Sequence, residues 1–254
     1  MKNDLFSIGP FTIHGYGLMI ALGILACITM GMYRARKRNM SDEAVLDIAI
    51  FGVLFGFLGA KLLYVLVEFP RFLENPMSVL GSEGFVVYGG IITGVITAVL
   101  YCKRKHLSFL EYFDLLIPSV ALAQGFGRIG CFLAGCCYGR ETDAFWGVTF
   151  PEGSLAPSGV KLIPTQLLSS AGDFLIMFIL LIYSKHNKKS GNVGFLYMLL
   201  YGIGRFLIEF LRSDDRGTVG LLSTSQFISI GIILLALFLF FRDKLFPKKV
   251  TTEK

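Results

Sequence analysis

Apolar runs near the length of a bilayer crossing recur from one end of this chain to the other. Seven are legible, at about 15–33, 44–69, 85–102, 113–133, 165–183, 193–212 and 224–241. A helix needs about 20 apolar residues to cross a ~30 Å hydrocarbon core. In lipid every backbone polar group must be satisfied inside its own segment, so such runs become helices. The 254 residues are 54% hydrophobic, with a mean hydropathy of +0.66, above what soluble domains of this size carry. The expected fold is an all-α polytopic membrane protein, a single transmembrane helical domain over 1–254.

The formal charge of +6 invites a nucleic-acid reading, but the placement of the charge argues against it. Arg34, Arg36, Lys37 and Arg38 follow the first run, and Lys103, Arg104 and Lys105 the third. Lys185, Lys188 and Lys189 follow the fifth, and Arg242, Lys244, Lys248 and Lys249 the seventh. The alternate connections hold only Arg71, Arg140, Lys161 and Arg216. Basic loops face the cytoplasm, so seven spans put the N-terminus outside and the C-terminus inside. The stretch before Gly15 has no positive n-region, and no cleavable signal peptide is expected. The long connection at 134–164 then forms a small extracytoplasmic cap. "SDEA" at Ser41–Ala44 reads as a helix start with Ser41 as N-cap.

Ionisable residues inside a membrane cost several kcal/mol and mark function by default. Arg128 falls near the outer end of the fourth run, and Arg205 inside the sixth with Glu209 one turn on. Arg205 and Glu209 are placed to pair at i,i+4, and Arg212 continues the stripe. Lys61 and Glu68 lie in the second run, where pairing or snorkelling accounts for them. Arg128 has no acid three or four residues away. Its planar fork suits a phosphate, or a carboxylate from another helix. Glycines crowd these positions, among them Gly89, Gly90, Gly127, Gly130, Gly139 and Gly204. They serve either close helix packing or exposed backbone beside a bound group. Tyr88 precedes two of them, where an interfacial aromatic anchor is also expected.

Together these stretches resemble the prolipoprotein diacylglyceryl transferase family. "IGPFTIHGYGLM" (Ile8–Met19), "YGGIITG" (Tyr88–Gly94), "GRIGCFLAGCCYG" (Gly127–Gly139), "PTQL" (Pro164–Leu167) and "YGIGRFLIEFLRSDD" (Tyr201–Asp215) match family motifs in order and spacing. The resemblance implies an enzyme of the bacterial cytoplasmic membrane with its active site toward the outer side. It implies transfer of the diacylglyceryl group of phosphatidylglycerol to the lipobox cysteine of a prolipoprotein signal peptide, with release of glycerol phosphate. No cofactor and no nucleic-acid partner is implied. Arg128 and Arg205 match the family's functional arginines and would face the phosphate. Glu209 would hold Arg205, Tyr16 and Tyr201 would contact the lipid headgroup, and Gly89, Gly90 and Gly139 would line the lipid site.

The pattern is broken at the acceptor chemistry. Tyr88 stands where the family has a histidine, Cys131 where it has asparagine, and Cys136 where it has glutamate. Ile163, Leu168 and Ser169 depart from the pattern around "PTQL". A phenol titrating near pH 10 is a weak base at neutral pH, whereas a free thiol is already a few per cent thiolate there. His14 is another candidate base. The five cysteines show no disulfide-framework or zinc-ribbon spacing. Cys131, Cys136 and Cys137 are read as small apolar packing residues, as a disulfide joining Cys131 to Cys136, or as a transient covalent site at Cys131 or Cys136. With no histidine nearby and no CxxC pair, no metal site is expected. Two other functions stay open: the same lipid donor with a different acceptor, and a non-catalytic phospholipid-binding membrane protein.

Overall fold

The structure is a computed structural model, describing residues 4–8, 11–82, 84–187, 189–214 and 217–245. Lys188, Asp215, Arg216, Lys248 and Lys249, used in the reading above, lie outside the described residues. The helices group into two compact units, one of residues 1–29 and 116–254, the other of residues 30–115.

The second unit is built on α2 (Asp42–Val67) and α5 (Val87–Arg104), with short helices α3 (Phe69–Glu74) and α4 (Pro76–Leu80) between them. Ser41 caps α2 as expected, its Oγ accepting from the Ala44 N–H at 3.1 Å. The two long helices run antiparallel, Gly56 against Gly90 and Gly59 against Gly89 and Thr93. The backbones come so close that a Cβ on Gly89 would lie 2.3 Å from the Gly59 carbonyl oxygen. This is the small-residue packing by which membrane helices associate without a hydrophobic drive. Thr93 Oγ1 donates to Gly89 O at 2.8 Å within its helix and lies 3.0 Å from Phe55 O across the pair. Lys61 donates to Ser82 O at 2.7 Å and sits 5.1 Å from the Tyr64 and Phe85 ring centroids. Its charge is thus spent on carbonyls and rings, the structural role foreseen for it. Glu68 ends α2, its N–H donating to Tyr64 O.

In the first unit a hairpin, β1 (Asp4–Ile8) with β2 (Phe11–His14), leads into α1 (Gly15–Lys37). Then come α6 (Phe109–Ala134), β3 (Val148–Thr149), β4 (Lys161–Leu162), α7 (Thr165–His186), α8 (Asn192–Ile208), a 3-10 turn Glu209–Leu211, β5 (Thr218–Val219), β6 (Leu222–Ser223) and α9 (Thr224–Leu245). Helices α1 and α6 each begin in one unit and end in the other. The 134–164 connection has its own small core: Phe150, Ala156 and Leu162 are buried, with Phe132, Tyr138 and Val160 against them.

Among the described residues, six helices are long and apolar enough to cross a membrane: Gly15–Lys37, Asp42–Val67, Phe109–Ala134, Thr165–His186, Asn192–Leu211 and Thr224–Arg242. The run expected at 85–102 also forms a helix, α5, but only of 18 residues. It carries Tyr88, three glycines and a basic last turn, which lower its apolar content below that of the other six.

Candidate active site

Arg128 and Arg205 stand 77 positions apart in sequence on different helices, and they line one cavity of about 120 Å³ in the first unit. Ser169, Asp173 and Tyr201 share its wall. Arginines 128 on α6 and 205 on α8 were brought out by their cost inside a membrane; the fold puts both on one concave surface. The glycines at 172 and 204 keep part of the lining free of side chains.

Arg205 is held from two sides. Its Nη2 donates to Ser225 Oγ at 2.8 Å and lies 2.8 Å from Glu209 Oε2. The side chains of Arg205 and Glu209 are 11% and 6% exposed. The pair is close but not aligned as a hydrogen bond, so the aligned contact belongs to Ser225 of α9, which the sequence reading did not select. Glu209 also borders a second, wider cavity of about 500 Å³, with Arg140, Arg212, Asp214 and Gln226. There Arg212 grips Asp214 with two parallel bonds, Nε to Oδ1 at 2.9 Å and Nη2 to Oδ2 at 2.8 Å. Thus the Arg205–Glu209 pair adjoins both cavities.

Asp173 is a second residue that sequence reasoning missed. It lies in the middle of α7, is 5% exposed, and its Oδ2 has no hydrogen-bond partner among the described residues. The charges of Arg128 and Arg205 both act on it. The signal was available: an aspartate inside an apolar run is as expensive as an arginine. Tyr201, expected at the headgroup, lines the cavity and stacks on Tyr197 with ring centroids 5.6 Å apart. Tyr197 in turn donates to Gln124 Oε1 at 2.7 Å. Tyr16, in the first turn of α1, lies against Gly130 of α6. It does not line the cavity beside Arg128 and Arg205.

Gly139 lies in a strap between two chain segments. Its N–H donates to Ile163 O at 3.0 Å, the Arg140 N–H to Leu211 O at 2.9 Å, and the Ile163 N–H to Arg140 O at 2.9 Å. A Cβ on Gly139 would meet Ile163 at 2.7 Å and Leu211 O at 2.8 Å, so no larger residue fits. Tyr88, Gly89 and Gly90 open α5 in the second unit, where Gly89 and Gly90 pack on α2.

The thiols gather at the end of α6, Cys131 in its last turn and Cys136 and Cys137 just beyond. The Sγ atoms of Cys131, Cys136 and Cys137 all lie within 4.8 Å of one another, and none of the five cysteines is in a disulfide. Cys137 has a positive φ of 63°, unusual for a side chain of any size. Two buried residues of "PTQL" hold this turn. Thr165 Oγ1 donates to Cys137 O and Gln166 Nε2 to Cys136 O, each at 2.7 Å. The Cys131 and Cys136 thiols, and then the Arg212 guanidinium, hold the Cys137 thiol well below its ordinary range. Cys136 is correspondingly pushed well up, by the Cys131 and Cys137 thiols and then by burial.

The prolipoprotein diacylglyceryl transferase family model matches residues 3–242. The chain belongs to that family. It is 50% identical over 246 residues to a phosphatidylglycerol–prolipoprotein diacylglyceryl transferase of Clostridium tetani, with 96% of this chain and 98% of the relative covered. It is 46% identical to transferase 2 of Clostridium perfringens over the full length of both chains. A Finegoldia magna transferase is 38% identical, with 92% of each chain covered. Membership gives the paired arginines a chemical context: a family whose relatives are named for a phospholipid donor and a protein acceptor.

Proposed function

We propose that this protein transfers the diacylglyceryl group of phosphatidylglycerol to the lipobox cysteine thiol of a bacterial prolipoprotein, releasing glycerol phosphate. The observation that carries the reading is the shared cavity of Arg128 and Arg205. The attacking sulfur belongs to the acceptor, so the protein need not supply a nucleophile. What it must supply is charge. As the carbon–oxygen bond breaks, the phosphate of the leaving group gains negative charge. Two guanidiniums fixed in a site of low dielectric stabilise that charge without reorganising. Ser225 and Glu209 fix Arg205 beforehand, and Tyr201 and Tyr16 are assigned to the lipid headgroup. Asp173 is a buried acid beside the arginines, which the incoming phosphate must displace or tolerate.

The topology belongs to the same proposal. Seven spans, with α5 as the third, put the N-terminus outside and the C-terminus in the cytoplasm of a bacterial cytoplasmic membrane. The small core around Phe150 then caps the outer side, where a secreted preprotein emerges. Tyr88, Gly89 and Gly90 are assigned by resemblance alone to the acceptor end of the reaction, and Gly139 to the lipid site.

The test uses purified protein with phosphatidylglycerol and a lipobox peptide. Expected is a peptide heavier by one diacylglyceryl group and an equal amount of glycerol phosphate. Glycerol phosphate without modified peptide would mean another acceptor. No turnover, with arginine-dependent lipid binding retained, would mean a lipid-binding protein and not an enzyme.

A further inference from the structure

We propose that Cys131, Cys136 and Cys137 form a three-thiolate zinc site whose open fourth position binds the acceptor cysteine and activates it for alkylation. The inference rests on the transfer reaction proposed above and assigns the acceptor half of it. Three sulfurs within 4.8 Å of one another are close to the edges of a tetrahedron. With Zn–S bonds of ~2.3 Å that edge is about 3.8 Å, so side-chain rotations of less than an ångström per sulfur complete the set. Thiolates select a soft or borderline ion, and a tetrahedral sulfur site selects zinc over magnesium or calcium. Three protein ligands leave one position for a substrate, the pattern of catalytic rather than structural zinc.

The turn is built for this convergence. Cys137 is in the left-handed region at φ 63°, and its carbonyl and that of Cys136 are fixed by the buried Thr165 and Gln166. The Cys136 N–H closes back on Cys131 O at 3.1 Å. Arg212, paired with Asp214, adjoins Cys137, where an outer-shell partner of a thiolate ligand would sit. Cys131 follows Arg128 by three residues on α6, so the two share a helix face. Tyr16 lies against Gly130, between the two. A thiol-binding position therefore adjoins the phosphate-binding arginine.

A coordinating thiol is deprotonated outright. On binding zinc the acceptor S–H gives its proton to water. Its sulfur attacks the diacylglyceryl methylene carbon and the S–C bond forms. The carbon–oxygen bond to phosphate breaks, and its electron pair leaves on glycerol phosphate. The product thioether is a weak zinc ligand and departs.

Cobalt(II) titration of the full-length protein, purified and reduced in detergent, tests the site. Expected is one cobalt per chain with a thiolate-to-cobalt charge-transfer band. Cys131→Ser, Cys136→Ser and Cys137→Ser should each weaken binding by more than the ~10–100-fold typical of an outer-shell loss. Cys27→Ser and Cys102→Ser should leave it unchanged. A lipobox peptide, but not its serine analogue, should shift the band. A reduced wild-type protein that takes no cobalt overturns the site, as does a band that survives all three serine variants. Undiminished lipid transfer by metal-free protein overturns the catalytic role and leaves the transfer reading intact. A peptide-shifted band without lipid transfer keeps the site and sinks the transfer reading.

Discussion

Replacing Arg205 separates its structural role from its chemical one. Its guanidinium lies 2.8 Å from Glu209 Oε2, with the two side chains 11% and 6% exposed. Arg205→Gln therefore strands a buried carboxylate. Breaking one side of such a pair costs about 3–5 kcal/mol, and the lost hydrogen bond to Ser225 Oγ adds about 1 kcal/mol. Loss of a fixed group on developing charge costs about 10²–10³ in turnover. The two losses differ in how they are repaired. Adding Glu209→Gln removes the stranded charge, so the double variant should regain most of the stability but none of the turnover. Thermal unfolding in detergent gives the first quantity, and glycerol phosphate release at saturating lipid gives the second. Turnover restored along with stability would refute the assignment of Arg205 to the phosphate and leave it a structural ion-pair partner.

Three other perturbations bear on the site and its scaffold. Asp173→Asn removes an acid that competes with the phosphate for Arg128 and Arg205, and half-saturation with phosphatidylglycerol in mixed micelles should fall several-fold; a rise would contradict that role. Gly139→Ala puts a methyl group 2.7 Å from Ile163, and the strap should lose about 1–3 kcal/mol, read as a lower unfolding temperature. Gly89→Ala drives a Cβ to 2.3 Å from the Gly59 carbonyl oxygen, so the α2–α5 pair must separate. A crosslink engineered between these helices should then form more slowly; an unchanged rate would contradict the close packing.

Much of this molecule is legible in its apolar runs, because lipid leaves a hydrophobic segment few alternatives to a helix. The Ser41 cap, the i,i+4 relation of Arg205 and Glu209 and the structural use of Lys61 follow from local rules and are found in place. The hairpins are less legible. β1 and β2 precede α1, and β3 and β4 pair across residues 150–160, in short strands with little alternation to mark them. The site divides in the same way. Arg128 and Arg205 announce themselves by cost, but their meeting in one cavity depends on how α6 and α8 pack. Asp173 carries the same cost, but it follows Ser169, Ser170 and Gly172 in the polar first half of its run, with no basic residue in that helix before the last turn to mark a pair. With no histidine nearby and no CxxC pair, the thiols carry no metal-site signal in the sequence. Their convergence comes from the left-handed turn at Cys137 and from Thr165 and Gln166, 28 and 30 residues away from the carbonyls they hold.

The central claim is that Arg128 and Arg205 hold the departing phosphate while a peptide thiol takes the diacylglyceryl group. Mass spectrometry of a lipobox peptide incubated with phosphatidylglycerol and either wild-type protein or Arg128→Lys tests it most directly. The account predicts a gain of one diacylglyceryl mass with wild type, matched by released glycerol phosphate, and its loss by about 10²–10³ in rate with the lysine variant, which keeps the charge but not the fork. Lipidation by Arg128→Lys at the wild-type rate would contradict it.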